Sequence, residues 1–338
     1  MIEARGLTKD FVVGRTGKVH AVRAVDLHVD RGETVAILGP NGAGKTTTMR
    51  MLTTLLTPTA GSVRVAGFDV AREPQQVRHW LGYVGQGNGA GHGQRAADEL
   101  VCQGVTFGMS RAAARGRAAE LMGGLDLAGK ERAKVSELSG GQRRRLDVAM
   151  GLMHAPELLV LDEPSTGLDP HNRANLWEHI RALREQRRMT LLLTTHYLDE
   201  ADAMAERVVI VDHGQVIADD SPERLKSLHA GDRMTVTTTT PEQADRLMRH
   251  LQGWAAGEPD AAARPEVCRS VRPDGSPVVH ATLSHGSQRV TELVRVADAD
   301  GIQIQDVQVR RPTLDDVFLN LTGRSLRAGD APTEENAA

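Results

Sequence analysis

The chain has 338 residues, enough for about two domains at roughly 150 residues each, and its 40% hydrophobic content supplies sizeable cores. A formal net charge of −3 leaves no basic footprint for nucleic acid, and the two cysteines, Cys102 and Cys268, stand far apart without CxxC spacing, as suits a reducing cytoplasm and a non-catalytic role. The charged start Met1-Ile2-Glu3-Ala4-Arg5 has no apolar core behind it, and no apolar run reaches the ~20 residues of a membrane helix, so the chain reads as soluble and any membrane part belongs to another chain.

Residues 2–38 alternate apolar and polar in short runs broken at Val13-Gly14-Arg15-Thr16-Gly17, which predicts antiparallel strands around a turn. Phe11, in the first of them, is read either as core or as an aromatic platform for an adenine ring. The apolar run Val35-Ala36-Ile37-Leu38 is a strand, followed by Gly39-Pro40-Asn41-Gly42-Ala43-Gly44-Lys45-Thr46 and then by a helix from Thr47 to Leu56 that buries Met49, Leu52, Leu55 and Leu56. A strand, a glycine-rich turn and a helix make a phosphate cradle. Gly39, Gly42 and Gly44 lack Cβ, so backbone N–H groups can close around a polyphosphate, and the helix N-terminus adds about half a positive charge there. Lys45 can reach the β- and γ-phosphates, and the Thr46 hydroxyl can ligate a magnesium ion.

Further strands are expected at Gly61–Gly67 and Leu81–Gly85, the second ending at Gln86. The glycine-dense Gly87–Gly93 reads as a flexible loop, and the Ala/Leu/Arg/Glu composition from Arg95 to Lys134 as a small helical insert, about 87–135 in all. Leu138-Ser139-Gly140-Gly141-Gln142 then opens a helix, Arg143–Met153, with Ser139 placed to cap it and the paired glycines exposing N–H groups at its positive end, a second anion site. The continuous apolar run Leu158-Leu159-Val160-Leu161 suits a buried parallel strand, and it delivers Asp162 and Glu163 to the edge where open α/β sheets bind ligands. Asp162 can hold the magnesium, and Glu163 can polarise a water as general base. A helix from about His171 to Arg187 and a strand Thr190–Thr195 follow, the strand bringing His196 to the same edge for a γ-phosphate contact. No His/Cys cluster has zinc spacing.

In this order the cradle 39–46, Gln86, LSGGQ at 138–142, LLVLDEP at 158–164, STGLD at 165–169 and TTH at 194–196 resemble the ATP-binding subunits of ABC transporters, over about residues 2–230. Gly140–Asp147 and Pro312–Leu319 further resemble the daunorubicin-resistance type of bacterial exporter ATPase. The resemblance implies a P-loop NTPase core of α/β class with antiparallel β and helical subdomains, using ATP and Mg2+. It implies a head-to-tail homodimer with ATP between one copy's cradle (Gly39 to Thr47) and the other's Ser139, Gly140, Gly141 and Gln142. By the same resemblance Gln86 senses the magnesium and faces a polytopic membrane permease, Asp169 communicates across the dimer, and Phe11 stacks on adenine. The Gly87–Gly93 segment departs from the family's usual sequence after the glutamine. Arg143–Arg145 is read as a solvated helix face near the phosphates in preference to a nucleic-acid patch.

Val208–Val211 and Gln215–Ala218 read as a hairpin, followed by a helix begun by Ser221-Pro222. With the first domain taken as 1–230, strand Arg233–Thr240, helix Pro241–Leu251, strands Val267–Val271 and Pro277–Leu283, helix Gln288–Ala299 and strand Ile302–Val309 make a second, ferredoxin-like βαββαβ domain over 231–323. It carries no catalytic constellation and is read as an accessory domain, regulatory or interactive. A last helix from Pro312 has Leu314, Val317, Phe318 and Leu321 on one face, and 324–338 reads as a disordered tail. The expectation is an ATPase, cytoplasmic and peripheral on the inner face of the cell membrane, energising export of a hydrophobic drug or secondary metabolite. The rival cargoes are lipid and polysaccharide. The rival functions are a soluble ABC ATPase remodelling ribosomes or nucleic acid, disfavoured by the single cassette and acidic balance, and a P-loop kinase, which would leave LSGGQ without a role.

Overall fold

The computed structural model describes residues 1–14, 17–257, 267–283 and 286–323. The expected disordered tail and most of the loop before Val267 lie outside them. The chain divides into two compact units, Met1–Asp219 and Asp220–Ala338.

In the first unit, β1 (Ile2–Val13) and β2 (Gly17–Val29) form a long antiparallel pair, extended by β4 (Ala60–Val65) and the short β5 (Phe68–Asp69) in the order β2-β1-β4-β5. Their period-2 alternation sends Ile2, Ala4, Val63 and Val65 inward, and an irregularity between Ala4 and Leu7 resets the phase so that Leu7 is buried as well. β3 (Thr34–Leu38) leaves this group for a second sheet with β6 (Leu81–Val84), β7 (Leu158–Asp162), β8 (Thr190–Thr195), β9 (Arg207–Asp212) and β10 (Gln215–Asp220). Its order is β10-β9-β3-β8-β7-β6, with β9, β3, β8, β7 and β6 parallel. Every residue of β3, β7 and β8 is buried, which explains their uninterrupted apolar runs. One core joins the two sheets through Ile2, Leu7, Val65, Val160 and Leu192, together with Met49 of helix α1 (Lys45–Leu52).

Helix α1 ends at Leu52, so Leu55, expected in the core, is 57% exposed, while Leu56 packs partly buried on the core edge. After α2 (Pro74–Trp80) and β6 comes the helical insert, α3 (Ala96–Thr106) and α4 (Arg111–Gly124), the latter capped by Ser110. Helix α5 spans Gly140–Gly151 and α6 Pro170–Arg187; α7 (Leu198–Met204) follows β8. No helix among the described residues is long and apolar enough to cross a membrane.

The second unit holds α8 (Pro222–His229), β11 (Asp232–Thr238), α9 (Pro241–Ala256), β12 (Val267–Val271), β13 (Pro277–Leu283), α10 (Val290–Ala299), β14 (Ile304–Arg310) and α11 (Leu314–Thr322). From β11 to β14 the order is βαββαβ, and the antiparallel sheet runs β12-β13-β11-β14. Met234, Val236, Leu247, Leu251, Val279 and Leu293 form its core. The break between units falls at Asp219/Asp220 instead of 230/231, because α8 packs on α11, where Leu314, Val317 and Phe318 are buried. Leu247 is fully buried, so Leu247→Ala should destabilise the second unit by about 2–5 kcal/mol. Urea unfolding followed by the fluorescence of Trp254, in the same helix, measures it; a loss under ~0.5 kcal/mol would contradict this core.

Candidate functional site

The site grows from the C-terminal ends of the parallel strands. β3 stops at Leu38 and the chain turns through 39–44 into α1, with no room for side chains at two points. A Cβ on Gly39 would lie 2.2 Å from the Val211 carbonyl oxygen, and one on Gly44, whose φ is +100°, would lie 2.4 Å from that of Ala21. Pro40, Asn41, Gly42 and Ala43 form the turn between them, with Ala43 N–H donating to the Pro40 carbonyl. Lys45, only 4% exposed, donates from Nζ to the carbonyls of Gly39 (2.7 Å) and Pro40 (3.1 Å) and stands 3.3 Å from Glu163 Oε1.

β7 delivers Asp162 and Glu163 beside this turn. Asp162 Oδ1 accepts from the hydroxyls of Thr46 (3.0 Å) and Thr194 (2.7 Å), and Oδ2 from the Tyr83 phenol (3.4 Å). Gln86 Nε2 donates to Thr46 Oγ1 at 3.2 Å. Glu163 sits in a left-handed conformation, φ +46°, which is strained for a residue with a Cβ. Its N–H donates to Thr194 Oγ1 at 3.0 Å, and its carboxylate lies 3.3 Å from His196 Nδ1 and 3.3 Å from the Thr166 hydroxyl. The contact with His196, and then the charge of Lys45, outweigh burial and lower the Glu163 pKa from 4.5 to about 2. Lys45, Thr46, Gln86, Asp162, Glu163 and His196 therefore lie together on one edge of the sheet. Thr46 and Asp162 bring hard oxygen donors together beside Gln86, a set whose chemistry suits Mg2+.

Ser139, Gly140, Gly141 and Gln142 form a second cluster with Asp169. Ser139 and Gln142 make a capping box on α5: Ser139 Oγ accepts from Gln142 N–H (3.2 Å), and Gln142 Oε1 accepts from Ser139 N–H (3.1 Å). The helix consequently begins at Gly140, earlier than expected. Asp169 caps α6 by accepting from the Asn172 backbone (2.9 Å) and side-chain amide (2.6 Å). A Cβ on Gly141 would lie 2.5 Å from Asn172 Oδ1, so Asn172 links the two motifs. Phe11 stands apart on β1, 38% exposed, with the Lys9 ammonium 5.4 Å from its ring centre.

Two expectations are corrected. Arg144 and Arg145 are not a solvated face: they are 6% and 5% exposed. Arg145 donates to Asn175 Oδ1 at 2.8 Å, and Arg144 turns to backbone carbonyls of neighbouring segments. The segment 87–93 is held where a flexible loop is expected, since Asp147 Oδ1 accepts from the N–H groups of Gly89 (2.9 Å) and Ala90 (3.3 Å), and Glu99 accepts from Gly91 (3.2 Å). Sequence reasoning also passed over Tyr83, Thr166, Asn172 and Thr194. For Arg144 a signal exists: it shares the buried i, i+4, i+7 face of α5 with Val148 and Gly151.

A glycine-rich loop entering a helix, a buried lysine and two carboxylates at the end of a parallel strand one place removed from the loop's own define a P-loop nucleoside triphosphatase. The sequence matches the ABC transporter family over residues 22–166, and it is 41% identical over 309 residues to the daunorubicin resistance ATP-binding protein DrrA2 of Streptomyces coeruleorubidus, covering 91% of this chain and 92% of that one. The chain belongs to the ABC transporter ATP-binding family: it is an ATPase, binding and hydrolysing ATP. The daunorubicin/doxorubicin resistance ATP-binding protein DrrA of Streptomyces peucetius is 38% identical over 99% of this chain and 96% of its own. A dimeric ATP-binding cassette solved in a post-hydrolysis state with ADP and phosphate matches 65% of this chain and 98% of its own, with TM-score 0.61 and 25% identity.

A carboxylate whose pKa is lowered on folding contributes stability that is fully present above its ordinary value, 4.5, and is lost as pH falls through its folded value, about 2. The difference in unfolding free energy between the chain and Glu163→Gln, from denaturant titrations at fixed pH, should hold at about pH 5 and decline below it. A difference that grows on acidification would contradict the pairing.

Proposed function

We propose that the chain is the ATP-hydrolysing subunit of an exporter, working at the inner face of the cell membrane as a homodimer with a separate polytopic permease. The carrying observation is the convergence of Lys45, Thr46, Gln86, Asp162, Glu163 and His196 on one strand-end edge. In this reading residues 39–47 wrap the triphosphate with backbone N–H groups and the α1 N-terminus, and Phe11 stacks on the adenine. Thr46 and Asp162, with Gln86, would hold a magnesium ion, which when bound would supply neutralisation of charge on the phosphate oxygens. Lys45 Nζ, 3.3 Å from Glu163, turns to the phosphates when they bind. Glu163 thereby loses one of the two groups that suppress its proton affinity and becomes a better base for the attacking water. His196 keeps the Glu163 carboxylate oriented and contacts the γ-phosphate.

Ser139, Gly140, Gly141 and Gln142, at the positive end of α5, close on the nucleotide of a second copy, and Asp169 reports across that interface through Asn172. The permease docks at the groove lined by Leu55, Tyr83, Phe107 and His154, beside the strand that leads to Gln86; this role accounts for the exposed Leu55. The names of the Streptomyces relatives support a hydrophobic antibiotic as cargo.

Lys45→Ala should lower kcat by at least ~10²-fold. Glu163→Gln should retain ATP affinity within about two-fold while hydrolysis falls by ~10²–10⁴-fold. Steady-state phosphate release and equilibrium ATP binding read both; wild-type hydrolysis by Glu163→Gln would overturn the assignment of the base. Tagged Glu163→Gln, solubilised from membranes with ATP and magnesium, should bring down a polytopic membrane protein. Ribosomal partners in its place would overturn the exporter reading.

A further inference from the structure

The hydrogen bonds of the Arg144 guanidinium all go to backbone carbonyls. Nε donates to the Pro164 carbonyl at 2.6 Å, Nη1 to that of Gly85 at 2.7 Å, and Nη2 lies 3.4 and 3.5 Å from those of Asp162 and Glu163. The guanidinium therefore gathers the turn that carries Asp162 and Glu163 and the residue just before Gln86. Asp147, one helical turn further along α5 and 3.9 Å from Arg144, holds the amides of Gly89 and Ala90, just after Gln86. Both side chains are about nineteen-twentieths buried. Together they grip the Gln86 segment on both sides and the carboxylate turn from behind. The helix that presents them is the one Ser139 opens.

We infer that Arg144 is a positioning residue for hydrolysis, and that with Asp147 it makes helix α5 the frame on which Glu163 and Gln86 are aimed. The inference rests on Glu163 acting as the base. The left-handed bend at Glu163 is unfavourable for a residue with a Cβ and persists only where its surroundings hold it. Arg144 supplies that hold by binding the carbonyls on either side of the bend. A planar fork can meet carbonyls from two segments at once, which a lysine ammonium on a flexible stem cannot reproduce. Because the frame and the LSGGQ segment are parts of one helix, a shift of Ser139–Gly141 against a second copy moves the supports of the carboxylate turn. The nucleotide that LSGGQ covers and the one whose hydrolysis Glu163 serves as base belong to different sites of the dimer, so α5 ties the two sites together.

A double-mutant cycle separates this role from a general structural one. Arg144→Lys should lower kcat by about 10- to 100-fold, with ATP affinity within two-fold of the unchanged chain. In a Glu163→Gln background the same substitution should change the residual rate by less than about three-fold, because Glu163 is already gone and only the hold through Gly85 on the Gln86 segment remains. An unchanged kcat, or an equal loss in both backgrounds, would overturn the inference. Wild-type hydrolysis by Glu163→Gln alone would instead refute the assignment of the base. Asp147→Ala removes the acceptor of the Gly89 and Ala90 amides while leaving Arg144 in place, and covers the case in which Arg144→Lys does not fold. It should cost exchange protection at the Gly89 and Ala90 amides and lower kcat several-fold at unchanged ATP affinity; unchanged kcat would refute the Asp147 arm.

Discussion

Two adjacent carboxylates, 1% and 8% exposed, stand at the end of the buried strand β7, and the rest of the site follows from giving each of them partners. Buried charge is tolerated only when it is paired or richly hydrogen-bonded. Asp162 is satisfied by hydroxyl donors from Thr46, Thr194 and Tyr83, while Glu163 is satisfied by the cation of Lys45 with His196 and Thr166. The two acids thus receive different company, hydroxyls for one and a cation for the other. That difference suits one to share a metal ion and the other to exchange a proton.

The parallel sheet makes this concentration possible. Leu38 pairs with Thr195, and Asp162 with Thr194, so the ends of β3, β7 and β8 come into register on one edge. Loops leaving that edge bring in the glycine turn, the carboxylates and His196 without long insertions. The helix beginning at Lys45 points its positive end at the same place. The second motif, at the start of α5, is built on the same physics, with a serine cap and two glycines leaving backbone donors uncovered.

Much of this was legible because it is local. A phosphate-binding turn, a capping box or an acid at the end of an apolar strand is written in contiguous residues, and the strands flanking each motif follow from apolar runs. The features that escaped depend on partners distant in sequence. Arg144 looks like surface in a run of three arginines, yet its acceptors are carbonyls of residues 85 and 162–164. The glycine-dense segment 87–93 carries no sign that Asp147 will hold its amides. Leu55 has the spacing of a core residue, but α1 stops before it. Helix α8 belongs to the second unit because its partner α11 lies far along the chain, and no periodicity within 221–230 could reveal that.

In the proposed dimer, hydrolysis needs Glu163 from one copy and the LSGGQ segment from another. Mixing two inactive variants tests it: Glu163→Gln, which keeps its LSGGQ, and Gly141→Asp, which keeps its carboxylates but intrudes on Asn172. The mixed dimer contains one site with an intact cradle, carboxylate pair and facing LSGGQ. ATP hydrolysis, at most residual in each variant alone, should return on mixing and rise with the share of mixed dimers. Demonstrated mixed dimers that stay inactive would contradict it.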